Sequence, residues 1–384
     1  MTNQYRSEFD LPREVCYLNA CYMGMQPRRV VEAAKRGAEK RAQPWSLLAP
    51  DFFDEVERLR SAYARLVCCK PDNIAIVPSA GYGVACAALN LPLGPGDIVL
   101  AMRDQFPSNY YAWNRKATSV GAEMCAVSRK PGMSWADSFL EEIERLGEKI
   151  RVATLEWHHW ATAETIDLDR VVPALRDLGA RIVLDLTQSV GAVPVNITNL
   201  APDFMVTAAY KWQFSPYGVA FLYVDEHHVD GVPIEEAWMS REGAEDFSRL
   251  SEFNDQYQPG ARRFDVSEKS SFSNIAGALE ALNTVSEWGV DTICETLAET
   301  NEQLGRILRR HGFETVATSD RAPHFQAALL PDADPRKLAS ELLEYGVYAS
   351  VRGNHLRVAP HLYTDEADIA RFDHAIDAAL RHSV

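Results

Sequence analysis

The apolar run Ile182-Val183-Leu184 ends in a carboxylate, Asp185, with an amide, Gln188, three positions on. A second apolar run, Phe204 to Ala209, delivers Tyr210, Lys211 and Trp212 just past its end, and Lys211 follows Asp185 by 26 residues. In open α/β sheets, ligands gather at the carboxyl ends of strands. An amine placed there is a candidate for holding an aldehyde or ketone as an imine, and a carboxylate there can keep a ring nitrogen protonated. Taken singly, Asp185 serves equally as a helix cap and Lys211 as a solvated surface lysine. Their joint placement is what points to chemistry.

The elements that must position these groups follow from periodicity. Short apolar runs at Ile74 to Val77, Ile98 to Ala101, Val152 to Leu155, Ile182 to Leu186 and Phe204 to Ala208 read as buried strands. They alternate with helical stretches at Arg28 to Arg41, Phe52 to Leu66, Tyr82 to Asn90, Tyr110 to Thr118, Ser134 to Arg145 and Leu168 to Leu178. That alternation predicts an α/β fold with a mainly parallel sheet. Near Ser270 the texture changes: one long helical segment from about Asn274 to Gly312 precedes short elements at Glu314 to Thr318, His324 to Leu330, Pro335 to Tyr345 and Asp365 to Ala379. The expected organisation is an N-terminal segment 1–20 packing with a small domain, a large domain 21–273, and a small C-terminal α+β domain 274–384. The polar stretch Glu226 to Pro259 is expected to be irregular.

At 384 residues the chain has room for more than one domain at roughly 150 residues each. Its 54 acidic against 39 basic residues give a net charge of −15, which disfavours nucleic acid and anionic membranes as partners. Seven scattered cysteines without metal-site spacing read as reduced thiols, so a cytoplasmic protein with no metal is expected. The N-terminus lacks the apolar region of an export signal, and no apolar run reaches the roughly 18 residues of a membrane span.

Pyridoxal phosphate needs a lysine for its aldehyde, a carboxylate for its ring nitrogen, a ring to stack on and donors for its phosphate. The sequence has a candidate for each, and the segments carrying them form a pattern. Leu184 to Gly191 with its Asp185 and Gln188, Ala209-Tyr210-Lys211-Trp212, and Pro216-Tyr217-Gly218 resemble the class V aminotransferase family of pyridoxal phosphate fold type I. So do Tyr17 to Ala20, Ser79 to Gly83, Phe106 to Asn109, Pro259 to Phe264 and Leu356 to Tyr363, so the similarity spans nearly the whole chain. Within the family the chain resembles most the branch of isopenicillin N epimerase-like proteins and hercynylcysteine sulfoxide lyases.

The resemblance implies a large domain with a seven-stranded sheet, pyridoxal 5'-phosphate as cofactor, and a homodimer with its active site at the interface. It makes Lys211 the imine lysine and proton shuttle, Asp185 the partner of the ring nitrogen, Gln188 a hydrogen-bond donor to the ring hydroxyl and Phe106 the stacking ring. Gly81, Tyr82 and Tyr210 would serve the phosphate, although family members often have Thr at position 81 and His at position 210. Arg357 would grip a substrate α-carboxylate, with Asn19 as a second candidate. His158 or His159 is a candidate acid or base, in a segment where Ala163 stands in place of a family Gly. Ser267 and Ser270 would replace the residues that a partner subunit sends to the phosphate, with Arg262 or Arg263 reaching across as well.

The family supports several reactions on an α-amino acid. The stretch Ser350 to Leu356 lacks the cysteine that desulfurases use there, which counts against sulfur transfer through a persulfide. β-Elimination on a cysteine-derived or other β-substituted amino acid, of the C–S lyase type, is the expected activity. Transamination is the main rival, followed by epimerisation and by a non-enzymatic cofactor-binding regulator.

Overall fold

The computed structural model describes residues 5–331 and 334–381, so the outermost positions of the expected terminal segments, 1–4 and 382–384, lie outside the described residues. A seven-stranded sheet runs in the order Ile74–Val77, Ala220–Val224, Phe204–Ala208, Arg181–Asp185, Ile150–Glu156, Ile98–Met102, Glu123–Val127. Ala220–Val224 is antiparallel to both of its neighbours and the other pairings are parallel. The five strands read from the sequence are all present, and the sheet adds Ala220–Val224 and Glu123–Val127.

The strands are buried on both faces because both are roofed by helices. Ile76, Leu100, Leu155, Ile182, Leu184 and Phe221 point to one side, toward the helices Asp54–Leu66, Trp135–Leu146, Leu168–Asp177 and Phe272–Trp288. Their alternates Val77, Val99, Val152, Val183, Val206 and Leu222 face Ala80–Asn90 and, through Trp113, Pro107–Val120. Burying each such side chain contributes about 1.5–3 kcal/mol, which is why the runs are continuous rather than alternating.

The expected single helix from about Asn274 to Gly312 is two, Phe272–Trp288 and Val290–Arg310. Gly289, at φ 77°, ends one and opens the other. Beyond them the antiparallel sheet Ser350–Arg352, His355–Val358, Gln326–Leu329, Glu314–Thr315 packs with Pro335–Glu344 and Glu366–Arg381 around Leu308, Phe313, Leu342, Phe372 and Ile376. The N-terminal segment joins this unit: Cys16–Tyr17 pairs in parallel with Val347–Tyr348, and Asn19 bridges to Ala359. It then crosses to the large sheet, where the Gly24 N–H donates to the Tyr210 carbonyl at 3.0 Å. Residues 226–259 hold only short 3-10 turns and one isolated bridge, Arg241 to Tyr257.

Candidate active site

Two adjacent parallel strands end in acids. Glu156 and Asp185 are register partners at the carboxyl ends of Ile150–Glu156 and Arg181–Asp185, so their carboxyl groups emerge side by side. Just beyond the next strand, the turn Ala209-Tyr210-Lys211 carries the lysine over the same edge. These strand ends and the loops after them enclose a cavity of ≈ 220 Å³. Its wall includes Gly81, Phe106, Glu156, Asp185, Tyr210 and Lys211.

Lys211 is 6% exposed and has no ion-pair partner among the described residues. Its Nζ lies 5.6 Å from the centroid of the Phe106 ring and 5.8 Å from that of Tyr210. Burial, with the nearby Arg357 charge, brings its amine down to about 8. Asp185 accepts the Thr187 N–H at 3.1 Å and is likewise without an ion-pair partner among the described residues; burial raises its carboxyl above the usual range. Glu156 is pushed further, to about 8, by burial and then by the Asp185 charge.

The opposite wall is a helix start. Ser79 caps Ala80–Asn90, its Oγ accepting the Tyr82 N–H at 3.1 Å, so the positive end of the helix dipole faces the cavity. A methyl at Gly81 would meet the Ser108 Cβ at 3.4 Å, an ordinary contact, and both Ser79 and Ser108 border the cavity. Gln188 is held at both ends: its Nε2 donates to the Cys21 carbonyl at 3.0 Å and its Oε1 accepts from the Trp212 indole at 2.9 Å. The amide keeps a second N–H.

The structure separates several of the candidates. Of the two histidines only His158 borders the cavity; its Nδ1 pairs with Ser189 Oγ at 2.8 Å, and burial brings it down to about 3, so it is neutral at neutral pH. His159 turns away, pairing with Thr162 and lying over Trp135, because the strand-end turn points successive side chains to opposite sides. Ala163 takes a left-handed conformation, φ 62°. The Tyr82 side chain lies outside the cavity wall, and only its backbone serves the helix cap. Asn19 lies outside that wall as well, with a buried Oδ1 that has no partner among the described residues.

Arg357 is 1% exposed and also lies outside that wall, behind Trp160, donating from Nη1 to the Trp160 carbonyl at 2.6 Å and from Nε to Ser350 Oγ at 3.3 Å. Ser350 and Arg357 are register partners, as are Arg352 and His355, so both arginines leave the same face of this hairpin. Arg352 rests between the rings of Tyr22 and Trp160, 5.8 Å from each centroid, with no carboxylate partner among the described residues. Ser267 and Ser270 lie elsewhere: the Ser267 N–H donates to Glu235, and Ser270 lines a separate groove with Gly37 and Phe52. Arg262 is held by Glu57 and Asp72, and Arg263 by Asp230 of the same chain, so neither guanidinium is free to reach outward as expected.

Glu156, Ser79 and Ser108 also border the cavity and were not singled out from the sequence. Glu156 had a usable signal, since it ends an apolar strand as Asp185 does. A larger cavity, ≈ 570 Å³, opens on the far side of Trp157, but its Arg129 and Arg170 are already neutralised by Glu164, Asp320 and Asp137.

The site fits pyridoxal phosphate on its own chemistry: an unpaired buried lysine, a strand-end carboxylate without a cation, an aromatic ring beside the lysine and a capped helix start. The comparisons agree. The chain is 25% identical over 391 residues to the kynureninase of Deinococcus radiodurans, covering 98% of this chain and 92% of that protein. It is 23% identical over 390 residues to the isopenicillin N epimerase of Streptomyces clavuligerus, covering 97% of each. Among solved structures, the cystine C-S lyase C-DES in complex with cysteine persulfide superposes with a TM-score of 0.85 at 21% identity, over 95% of this chain and 97% of that one. Residues 24–372 match the family described as aminotransferase class-V, and the chain belongs to that family of pyridoxal phosphate-dependent enzymes.

Proposed function

We propose that the protein eliminates a β-substituent from a cysteine-derived or other β-substituted α-amino acid. Bound pyridoxal phosphate supplies an aldehyde for the substrate amine and an electron sink for charge at the α-carbon. Lys211, uncharged above about pH 8 and buried beside Phe106, is the base that takes the α-proton and the acid that returns one. Asp185 holds the ring-nitrogen proton, Gln188 uses its spare N–H on the ring hydroxyl, and Phe106 stacks on the ring. The start of Ala80–Asn90, with Gly81, Tyr210 and the hydroxyls of Ser79 and Ser108, binds the phosphate. Arg357 takes the α-carboxylate as a bidentate fork.

No thiol stands in the cavity wall among the described residues, which counts against sulfur transfer through a persulfide, while a keto-acid-free assay separates elimination from transamination. A sulfur-transfer enzyme needs a nucleophilic cysteine over the substrate, whereas elimination needs only the lysine and room for a leaving group. The C–S lyase likeness supports the same reading at the level of fold. The test is incubation of the holoenzyme with β-substituted amino acids, without any keto acid. Equal accumulation of pyruvate and ammonia is expected, and conversion of one equivalent of substrate per site without ammonia would replace this reading with transamination.

A homodimer is part of the reading. The partly exposed Trp238, Phe247 and Phe52 form one aromatic cluster next to the groove that holds Ser270. An apolar patch of that kind suits a second copy, which would bring Ser267 and Ser270 toward the phosphate.

A further inference from the structure

We propose that Glu156 is a positioning residue that fixes, through its two carboxyl oxygens, both the ring that stacks on the cofactor and the peptide that seats the substrate-binding arginine. The proposal rests on the pyridoxal phosphate reading of the site.

Glu156 is 3% exposed and makes no ion pair with a lysine or arginine among the described residues. Its two oxygens are divided between two loops. Oε1 accepts the Phe106 N–H at 2.9 Å, and Oε2 accepts the Trp160 N–H at 2.9 Å. The two loops are then tied to each other: the Trp160 indole donates to the Asp104 carbonyl at 2.8 Å, and the rings of Phe106 and Trp160 meet edge to face at 5.3 Å. The Trp160 carbonyl in turn receives Arg357. One buried side chain thus stands at the root of the stacking ring and of the arginine seat.

The loop before Phe106 needs such a tether. Asp104 sits at φ 58°, in the left-handed region, which aspartate adopts more readily than most residues but still at some cost, and a tether offsets that cost. The residue type follows from the donors. Two backbone N–H groups converge on one side chain and favour its ionised form against the burial that raises it, and only a carboxylate offers a full acceptor oxygen to each. Glutamine turns its NH₂ toward one of the two donors and keeps a single bond. Aspartate keeps both acceptors on a stem one methylene shorter.

The test uses wild type, Glu156→Gln, Glu156→Asp and Glu156→Ala, stripped of cofactor and titrated with pyridoxal phosphate while the visible band is followed. Lys211→Ala serves as the control that should give no lysine-imine band, only the absorption of the free aldehyde. Leaving one buried N–H unpaired should weaken cofactor binding about tenfold in Glu156→Gln, and leaving two should weaken it more in Glu156→Ala. The same variants should raise KM for the amino acid about tenfold through the displaced Arg357 seat. Where Glu156→Ala does not fold, the near-isosteric Gln variant carries the comparison. Wild-type cofactor affinity and KM, within twofold, in both Gln and Asp variants would overturn the proposal alone. A wild-type chain that gives no band would overturn the cofactor reading, and this proposal with it.

Discussion

Lys211 is pressed toward its neutral form from two directions, since burial removes the water that would stabilise an ammonium and Arg357 adds a like charge nearby. An unshifted lysine near 10.5 is almost wholly protonated at neutral pH; one near 8 has an appreciable free-amine fraction. Only the free amine attacks a carbonyl. The rate at which cofactor-free protein captures pyridoxal phosphate should therefore rise with pH to a plateau with a midpoint near 8. Arg357→Gln removes a charge that lowers the amine, so its midpoint should move upward. Stopped-flow absorption across pH 6 to 10 measures both; a wild-type midpoint near 10, or no movement in the variant, would contradict this assignment. At this scale the sequence was legible where chemistry is local to one strand end, as at Asp185, Gln188 and Lys211. It was not legible for Glu156, whose two partners, Phe106 and Trp160, lie 50 residues before it and 4 after it and meet only in the fold. Nor could adjacent His158 and His159 be told apart, because which one faces the cavity depends on the turn that follows the strand.

Between elements, the tightest approach to the site is Gly24. A Cβ there would lie 1.9 Å from the Lys211 carbonyl oxygen, so the N-terminal segment can cross the lysine turn only without a side chain. Gly24→Ala should cost about 1–3 kcal/mol in stability, and it should also displace the lysine turn. Urea denaturation with a parallel measurement of bound cofactor tests this; unchanged stability and full cofactor loading would show that the crossing is looser than described. The sequence revealed five of the seven strands because buried strands are continuous apolar runs, although the equally apolar and buried Ala220–Val224 was passed over. Glu123–Val127 escaped because it is an edge strand that begins at an exposed glutamate and is only partly buried along most of its length. The helix break escaped because both flanks keep helical periodicity, and a lone Gly289 within such a pattern is tolerated as often as it terminates.

Across the whole molecule, three parts of the chain meet near the cavity: Gly24 braces the lysine turn, strand ends of the large sheet carry Asp185 and lead into Lys211, and the hairpin of the small sheet carries Arg357, the proposed carboxylate grip, behind Trp160. The family pattern made that division readable from the chain, since each part is an ordered segment. Arg262 and Arg263, expected from the sequence to reach a second copy, are instead held by Glu57 and Asp230 of the same chain. Sedimentation equilibrium should give a dimer, and Phe247→Glu should weaken it by placing a charge in the aromatic cluster; a monomeric wild type would remove the second copy from the account. The central claim, that this site releases a β-substituent, is tested most directly by following the visible band of the holoenzyme during turnover of a cysteine conjugate without keto acid. Full return of the band once substrate is exhausted is expected. Its stoichiometric and lasting loss would contradict the claim and identify an aminotransferase.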